Sequence, residues 1–248
     1  MRLWIYSMFM AWGTFLAIPC PFRKWDEAAR GRMLVSLSIV GAVVGALWAL
    51  VLYLAKLVSC PAPLFALIMA SFPWLITGFI HLDGFMDVCD AALSRRDLET
   101  RQRILKDPHC GAFGVICLCL LILATFSLFM SAPDAIDPLS LALIPVASRA
   151  STGIALLLMK RMDGSQYAST ERKRASLLIP LFVILAAAVA VPIVLKGTGG
   201  LAPAAASAAY FLFCLWASKQ LGGVSGDVSG FSITFSELVG VAVLVLVR

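Results

Sequence analysis

The sequence predicts an all-α, polytopic transmembrane helix bundle of about seven full spans, with an N-terminal helix that either spans or lies in the interface. Three observations predict it. Of 248 residues, 61% are hydrophobic and 14% charged, against about 45–50% and about 25% in an ordinary soluble domain. With a mean hydropathy of +0.94, the chain carries more apolar surface than one soluble core can hide, which excludes a soluble enzyme, a disordered chain and a disulfide-built secreted domain. The apolar runs are continuous rather than alternating, which excludes a transmembrane barrel. Finally, basic connections alternate with nearly neutral ones.

Taken in order, residues 3–18 form an apolar stretch of marginal length that runs into Pro19 and Pro21. It has no small-residue cleavage signature and reads as retained. Full-span candidates follow at 34–57, 64–80, 113–130, 139–159, 177–195, 202–217 and 233–247, each bordered by Gly, Pro or charge. Arg23, Lys24, Arg30 and Arg32 precede the first. Arg95, Arg96, Arg101, Arg103 and Lys106 follow the second, and Lys160, Arg161, Arg172, Lys173 and Arg174 the fourth, with Lys219 after the sixth. The intervening connections hold only Lys56, Asp134 with Asp137, and Lys196. This alternation puts the basic loops in the cytoplasm. Residues 1–248 read as a single integral membrane domain, with the acidic stretch 81–91 and loops 95–112, 160–175 and 219–230 on the cytoplasmic side. The net charge of +6 is then a matter of membrane orientation, and no nucleic-acid partner is expected. The seven cysteines form no C-x-x-C pair and read as free thiols.

Polar chemistry concentrates in a few places. In His81-Leu82-Asp83-Gly84-Phe85-Met86-Asp87-Val88-Cys89-Asp90, the acids are spaced i, i+4, i+7. That places them within roughly 60° of one another on a helix. Like charges on successive turns repel, and more so at a membrane boundary. A solvated acidic face beside the Arg-rich loop is one answer. Three acids in register on an apolar segment favour the other, a metal site at Asp83, Asp87 and Asp90, and hard oxygens that leave room for phosphate suit Mg²⁺. Gly84 lets a substrate approach the backbone. His81 falls on a different face, as either an interfacial hydrogen-bonding residue or a site residue. The turn from Lys106 and Asp107 to Gly111 and Gly114 is a connector or an anion-binding helix start. Gly222, Gly223, Gly226 and Asp227 make a glycine-rich loop able to cradle phosphate. Arg149 and Glu237 lie inside apolar runs, where charge is costly and usually functional. They read as ligand contacts or as a pair with each other.

Together these motifs resemble the cobalamin synthase family, the membrane-embedded adenosylcobinamide-GDP ribazoletransferases. The resemblance is carried by H-L-D-G-x-x-D-x-x-D within 78–91, K-D-x-x-x-G-A-F-G at 106–114, Ser148-Arg149, and G-G-x-x-G-D-x-x-G with Glu237 beyond it. The chain departs from the family pattern at Phe79, Ala91, His109 and Thr234. The resemblance implies a Mg²⁺-dependent enzyme of the bacterial inner membrane, with its active site facing the cytoplasm. It would join adenosylcobinamide-GDP to alpha-ribazole, or alpha-ribazole 5′-phosphate, giving adenosylcobalamin, or its 5′-phosphate, and GMP. This is the last step of lower-loop assembly. Asp83, Asp87 and Asp90 would hold Mg²⁺, and Asp227 or an uncommitted carboxylate would take a proton from the ribazole 5′-hydroxyl. His81, Gly84, Lys106, Asp107, Gly111, Arg149, Gly222, Gly223, Gly226 and Glu237 would contact substrate. Assembly into a homo-oligomer stays open. Two other readings remain: a CDP-alcohol phosphotransferase, whose Asp motif fits Asp83-Gly84-Phe85-Met86-Asp87 poorly, and a transporter lined by Arg149 and Glu237, against which no pair of broken helices recurs in the two halves.

Overall fold

The computed structural model describes residues 2–22, 24–132, 136–162 and 174–247. Arg23, Asp134, Arg172, Lys173 and most of the 160–175 loop lie outside the described residues. Those described form ten α-helices: α1 (Arg2–Phe15), α2 (Met33–Leu57), α3 (Ala62–Ile76), α4 (Ile80–Leu93), α5 (Leu98–Ile104), α6 (Ala112–Ser131), α7 (Pro138–Leu158), α8 (Arg174–Lys196), α9 (Ala202–Leu221) and α10 (Gly226–Leu246). The all-α, multi-pass membrane reading therefore stands. All seven cysteines are unbridged.

The helix α7 is the axis of the bundle. Its most apolar window is 83% buried, against 22% for α6 and α8. Those two are apolar all round and present most of their surface outward, as lipid-facing helices do. Against α7, the Gly41-x-x-x-Gly45 stripe of α2 meets the Pro145 and Ala142 carbonyls so closely that a Cβ at either glycine would collide with backbone. Small residues at this spacing let two membrane helices pack backbone to backbone.

The span count differs from the expectation of about seven. Among the described residues, five segments are long and apolar enough to cross, and a sixth results if the bent pair α3–α4 counts as one. The candidate at 64–80 is not straight. The helix α3 stops at Ile76, Gly78 and Phe79 take φ of +61° and +62°, and α4 leaves at 91°. The helix α9 has 20 residues, but its small-residue first half and Lys219 make it less apolar than a free-standing span. The last candidate, 233–247, is only part of α10, which begins at Gly226.

The N-terminal segment, expected to span or to lie in the interface, forms a helix too short to span by itself. With 14 residues, α1 reaches about 21 Å, short of the roughly 30 Å hydrocarbon core. It runs beside α2, with Ser7 Oγ 2.9 Å from Ser36 Oγ and Ala11 and Leu16 packed with Val40 and Val44. The chain then doubles back along it. Phe22 stacks on Tyr6 at 5.6 Å and meets Phe9 at 5.5 Å, and Asp26 caps a short 3-10 turn, Glu27–Arg32, through the Ala28 N–H.

Candidate active site

The acidic face of α4 runs from open to closed. Asp83 is exposed, Asp87 half-buried and Asp90 buried. The start of α10 crosses α4 at Gly84, where a Cβ would lie 2.8 Å from Asp227 Cα. No larger residue permits that approach. Asp227 sits in the first turn of α10, whose N-cap Ser225 accepts the Val228 N–H and donates its hydroxyl to Asp227 Oδ2 at 3.4 Å. The charges of Asp83, Asp227 and Asp90 all bear on Asp87, and that of Asp83 bears on Asp227. Among the described residues, no Lys or Arg forms an ion pair with these carboxylates.

Asp90 is committed elsewhere. Its Oδ2 accepts the Gly111 N–H at 2.8 Å and its Oδ1 the Gly114 N–H at 2.9 Å, so it caps the start of α6 from another helix. A Cβ at Gly114 would fall 2.5 Å from Asp90 Oδ2, and one at Gly111 would strike Oδ1. The two glycines of the turn thus make room for the cap, which gives Gly111 a packing reason. Each Asp90 oxygen thus accepts one backbone amide, which takes up one of its lone pairs. Asp83, Asp87 and Asp227 are the carboxylates left together.

Other expected residues sort by position. Asp107 accepts the His109 backbone N–H at 2.9 Å and faces its Nδ1 at 2.7 Å. The backbone N–H first, then the imidazole, hold the Asp107 carboxyl below its ordinary range. Lys106 is exposed on the same turn. No described hydrogen bond or ion pair joins either residue to the acid cluster. Gly222, at φ +87°, ends α9 by donating its N–H to the Ser218 carbonyl. A Cβ at Gly223 would press into the Arg161–Met162 backbone at 2.6 Å. Val224 exchanges backbone hydrogen bonds with Lys160 and Met162, and Gln102 donates to the Leu221 carbonyl. This loop is pinned by neighbours rather than left as a free cradle. Gly226 alone faces open space, next to Asp227.

Deeper in the bundle, fully buried Arg149 donates Nη1 to Glu237 Oε1 at 2.5 Å, and also to the Pro145 carbonyl and Ser148 Oγ. Its Nε and Nη2 have no hydrogen-bond partner among the described residues. His81 is buried, its ring stacked on Phe15 at 6.2 Å, and Thr234 Oγ1 donates to its carbonyl. Arg149 is thus paired with Glu237, and its charge also reaches the buried His81. Sequence reasoning missed the Gly41-x-x-x-Gly45 stripe, for which the spacing was a legible signal. It also missed the Thr234–His81 contact, for which there was none.

A profile of the cobalamin-5-phosphate synthase family matches residues 7–245. The chain belongs to the cobalamin-5-phosphate synthase family. An adenosylcobinamide-GDP ribazoletransferase of Clostridium perfringens is 34% identical over 98% of this chain and 99% of its own. A protein of the same name from Clostridium botulinum is 34% identical over 94% of each, and one from Geobacillus kaustophilus 36% identical over 94% and 95%. No solved structure matches significantly.

In this cobalamin-5-phosphate synthase relative, the donor set fits magnesium in a particular way. Among the described residues, no group of three or more His, Cys, Asp or Glu side chains is arranged to hold a metal by itself. Hard carboxylate oxygens without a cation, on Asp83 and Asp87 with Asp227 opposite, suit an ion that takes one or two protein carboxylates and completes its shell with water and substrate phosphate.

Proposed function

We propose that the chain joins adenosylcobinamide-GDP to ribazole and releases GMP, at the crossing of α4 and α10. The observation that carries this is the convergence of Asp83 and Asp87 with Asp227 across Gly84, in a chain matched to the family along nearly its whole length. A ribose hydroxyl oxygen forms a bond to the cobinamide-side phosphorus. The bond from that phosphorus to the bridging oxygen breaks, GMP leaves with the electron pair, and the hydroxyl proton passes to a carboxylate. Mg²⁺ held by Asp83 and Asp87 would supply charge neutralisation to the pyrophosphate. Asp227, hydrogen-bonded only locally and beside Gly226, which leaves space open, is placed to accept the proton. Pinning of 222–224 against 160–162 keeps Asp227 in place, so alignment is built in before substrate arrives.

The expected 5′-hydroxyl attack is revised on chemical grounds. In ribazole 5′-phosphate that oxygen is already esterified, so a site taking both acceptors must use a secondary ribose hydroxyl. The alternation of basic connections supports an active site on the cytoplasmic side of a bacterial inner membrane. Arg149, Glu237 and His81 have inward partners, and we assign them to holding α4, α7 and α10 together.

The test is full-length protein in lipid nanodiscs with Mg²⁺, adenosylcobinamide-GDP and ribazole. GMP and a cobamide of matching mass are expected on chromatography, and excess EDTA stops both. CMP release from a CDP-alcohol without GMP formation would establish the phosphotransferase alternative instead, and substrate uptake without chemistry would establish the transporter.

A further inference from the structure

The fold-back of the N-terminal segment leaves a groove that the mechanism above does not use. One lobe, about 450 Å³, is lined by Phe9, Thr14, Cys20, Phe22, Lys24 and Trp25 among others. A second, about 440 Å³, is lined by Ala17, Gly78, Phe79 and Asp83 among others. The lobes adjoin through Thr14, Leu16 and Ala17, which line both, and the second lobe is lined by the exposed Asp83 carboxylate. The walls of the groove are fixed. The Ala17 N–H donates to the Ile76 carbonyl at 2.8 Å, and Trp12 Nε1 donates to the Ile18 carbonyl at 2.9 Å. Phe79, half exposed on the second lobe, holds a left-handed φ of +62°, a conformation costly for a bulky residue and found where function requires it.

The geometry points to this groove as the seat of the acceptor's aromatic base, with the ribose passing Thr14 and Ala17 so that a hydroxyl reaches Asp83. The inference rests on the ribazole-transfer reading. Its chemistry selects among the parts of the two substrates. A corrin macrocycle, with its fringe of amides, is too broad for a lobe of this size. Guanine presents two donors and an acceptor along one edge, and among the described residues no Asp, Glu, Asn or Gln lines the aromatic lobe to meet them. A benzimidazole is flat and mostly apolar, and it stacks on rings such as Phe9, Phe22 and Trp25. Asp83 in the lining of the adjoining lobe adds the second requirement, that whatever binds must deliver a reacting group there.

Two readings on the full-length protein in nanodiscs test this. One is ribazole binding, followed by quenching of tryptophan fluorescence, with Trp25→Phe identifying the reporter. The other is KM for each substrate, from GMP release. Ala17→Phe should weaken ribazole binding and raise its KM about tenfold, the scale of a lost aromatic stack with its burial, and leave KM for adenosylcobinamide-GDP unchanged. Phe22→Ala, which opens the groove instead of filling it, should act in the same direction. In the wild type, free benzimidazole should compete with ribazole alone. A rise in KM for adenosylcobinamide-GDP would give the groove to the donor and overturn the inference. Unchanged ribazole affinity in both variants would overturn it too, leaving the groove to a lipid chain. If the wild type binds ribazole in the groove but releases no GMP, the transfer reading fails and the site stands.

Discussion

Glu237 and Asp87 are both carboxylates held between helices, and the bundle treats them in opposite ways. Glu237 has a private cation: Arg149, itself fully buried, meets it at 2.5 Å, and the pair is sealed between α7 and α10. Asp87 has other carboxylates instead. Asp83, Asp90 and Asp227 all bear on it, and no described Lys or Arg pairs with it. A chain selected for stability alone would not assemble uncompensated acids at a helix crossing that demands a glycine. The contrast separates charge that closes a scaffold from charge left open for something that arrives. The exposure gradient along α4, from Asp83 to Asp90, places the boundary between the two roles within one helix.

Breaking the closed region should produce the largest effect. Glu237→Leu strands the Arg149 guanidinium, which already has two donors without a partner, and should cost about 3–5 kcal/mol of stability. Arg149→Met combined with Glu237→Leu should recover most of that loss, because a packed apolar pair replaces a desolvated ionic one. Unfolding in detergent measures both. If the double variant is folded yet inactive, Arg149 contacts substrate and the two regions are not separate.

The open region should answer the other way. Asp83→Asn and Asp87→Asn should each lower GMP release by roughly 10²–10³-fold, the scale of losing one electrostatic contact to developing charge. Their unfolding midpoints should hold or rise, since like-charge repulsion along the helix is relieved. Loss of activity together with an equal loss of stability would assign these acids to the scaffold and erase the contrast.

How much of this was legible beforehand follows from which interactions are local. Continuous apolar runs gave the fold class because the bilayer imposes its length on each span. The i, i+4, i+7 spacing put Asp83, Asp87 and Asp90 on one face, since helical period alone decides that. The Arg149–Glu237 pair was foreseeable as one of two outcomes, because a charge inside lipid needs a partner. The 91° bend after α3 was not, because Phe79 adopts a backbone conformation that composition argues against. Nor was the fold-back of α1, which depends on ring contacts of Phe22 with Tyr6 and Phe9. The commitment of Asp90 was hidden for a similar reason. Period places it beside Asp83, but which neighbour arrives at that end of α4 is a tertiary fact.

That commitment gives the smallest effect and the sharpest division. Asp90→Asn keeps one acceptor oxygen but turns its amide toward a second backbone N–H, donor against donor, so one of Gly111 and Gly114 loses its partner. The cost should be about 1–2 kcal/mol, as for loss of a helix cap, read as a lowered unfolding midpoint. The magnesium concentration for half-maximal GMP release should stay where it is in the wild type, because the oxygens changed already serve two backbone amides. The same titration on Asp83→Asn should shift upward. A matching upward shift in Asp90→Asn would return the third acid to the metal and move the boundary between closed and open charge beyond the end of α4.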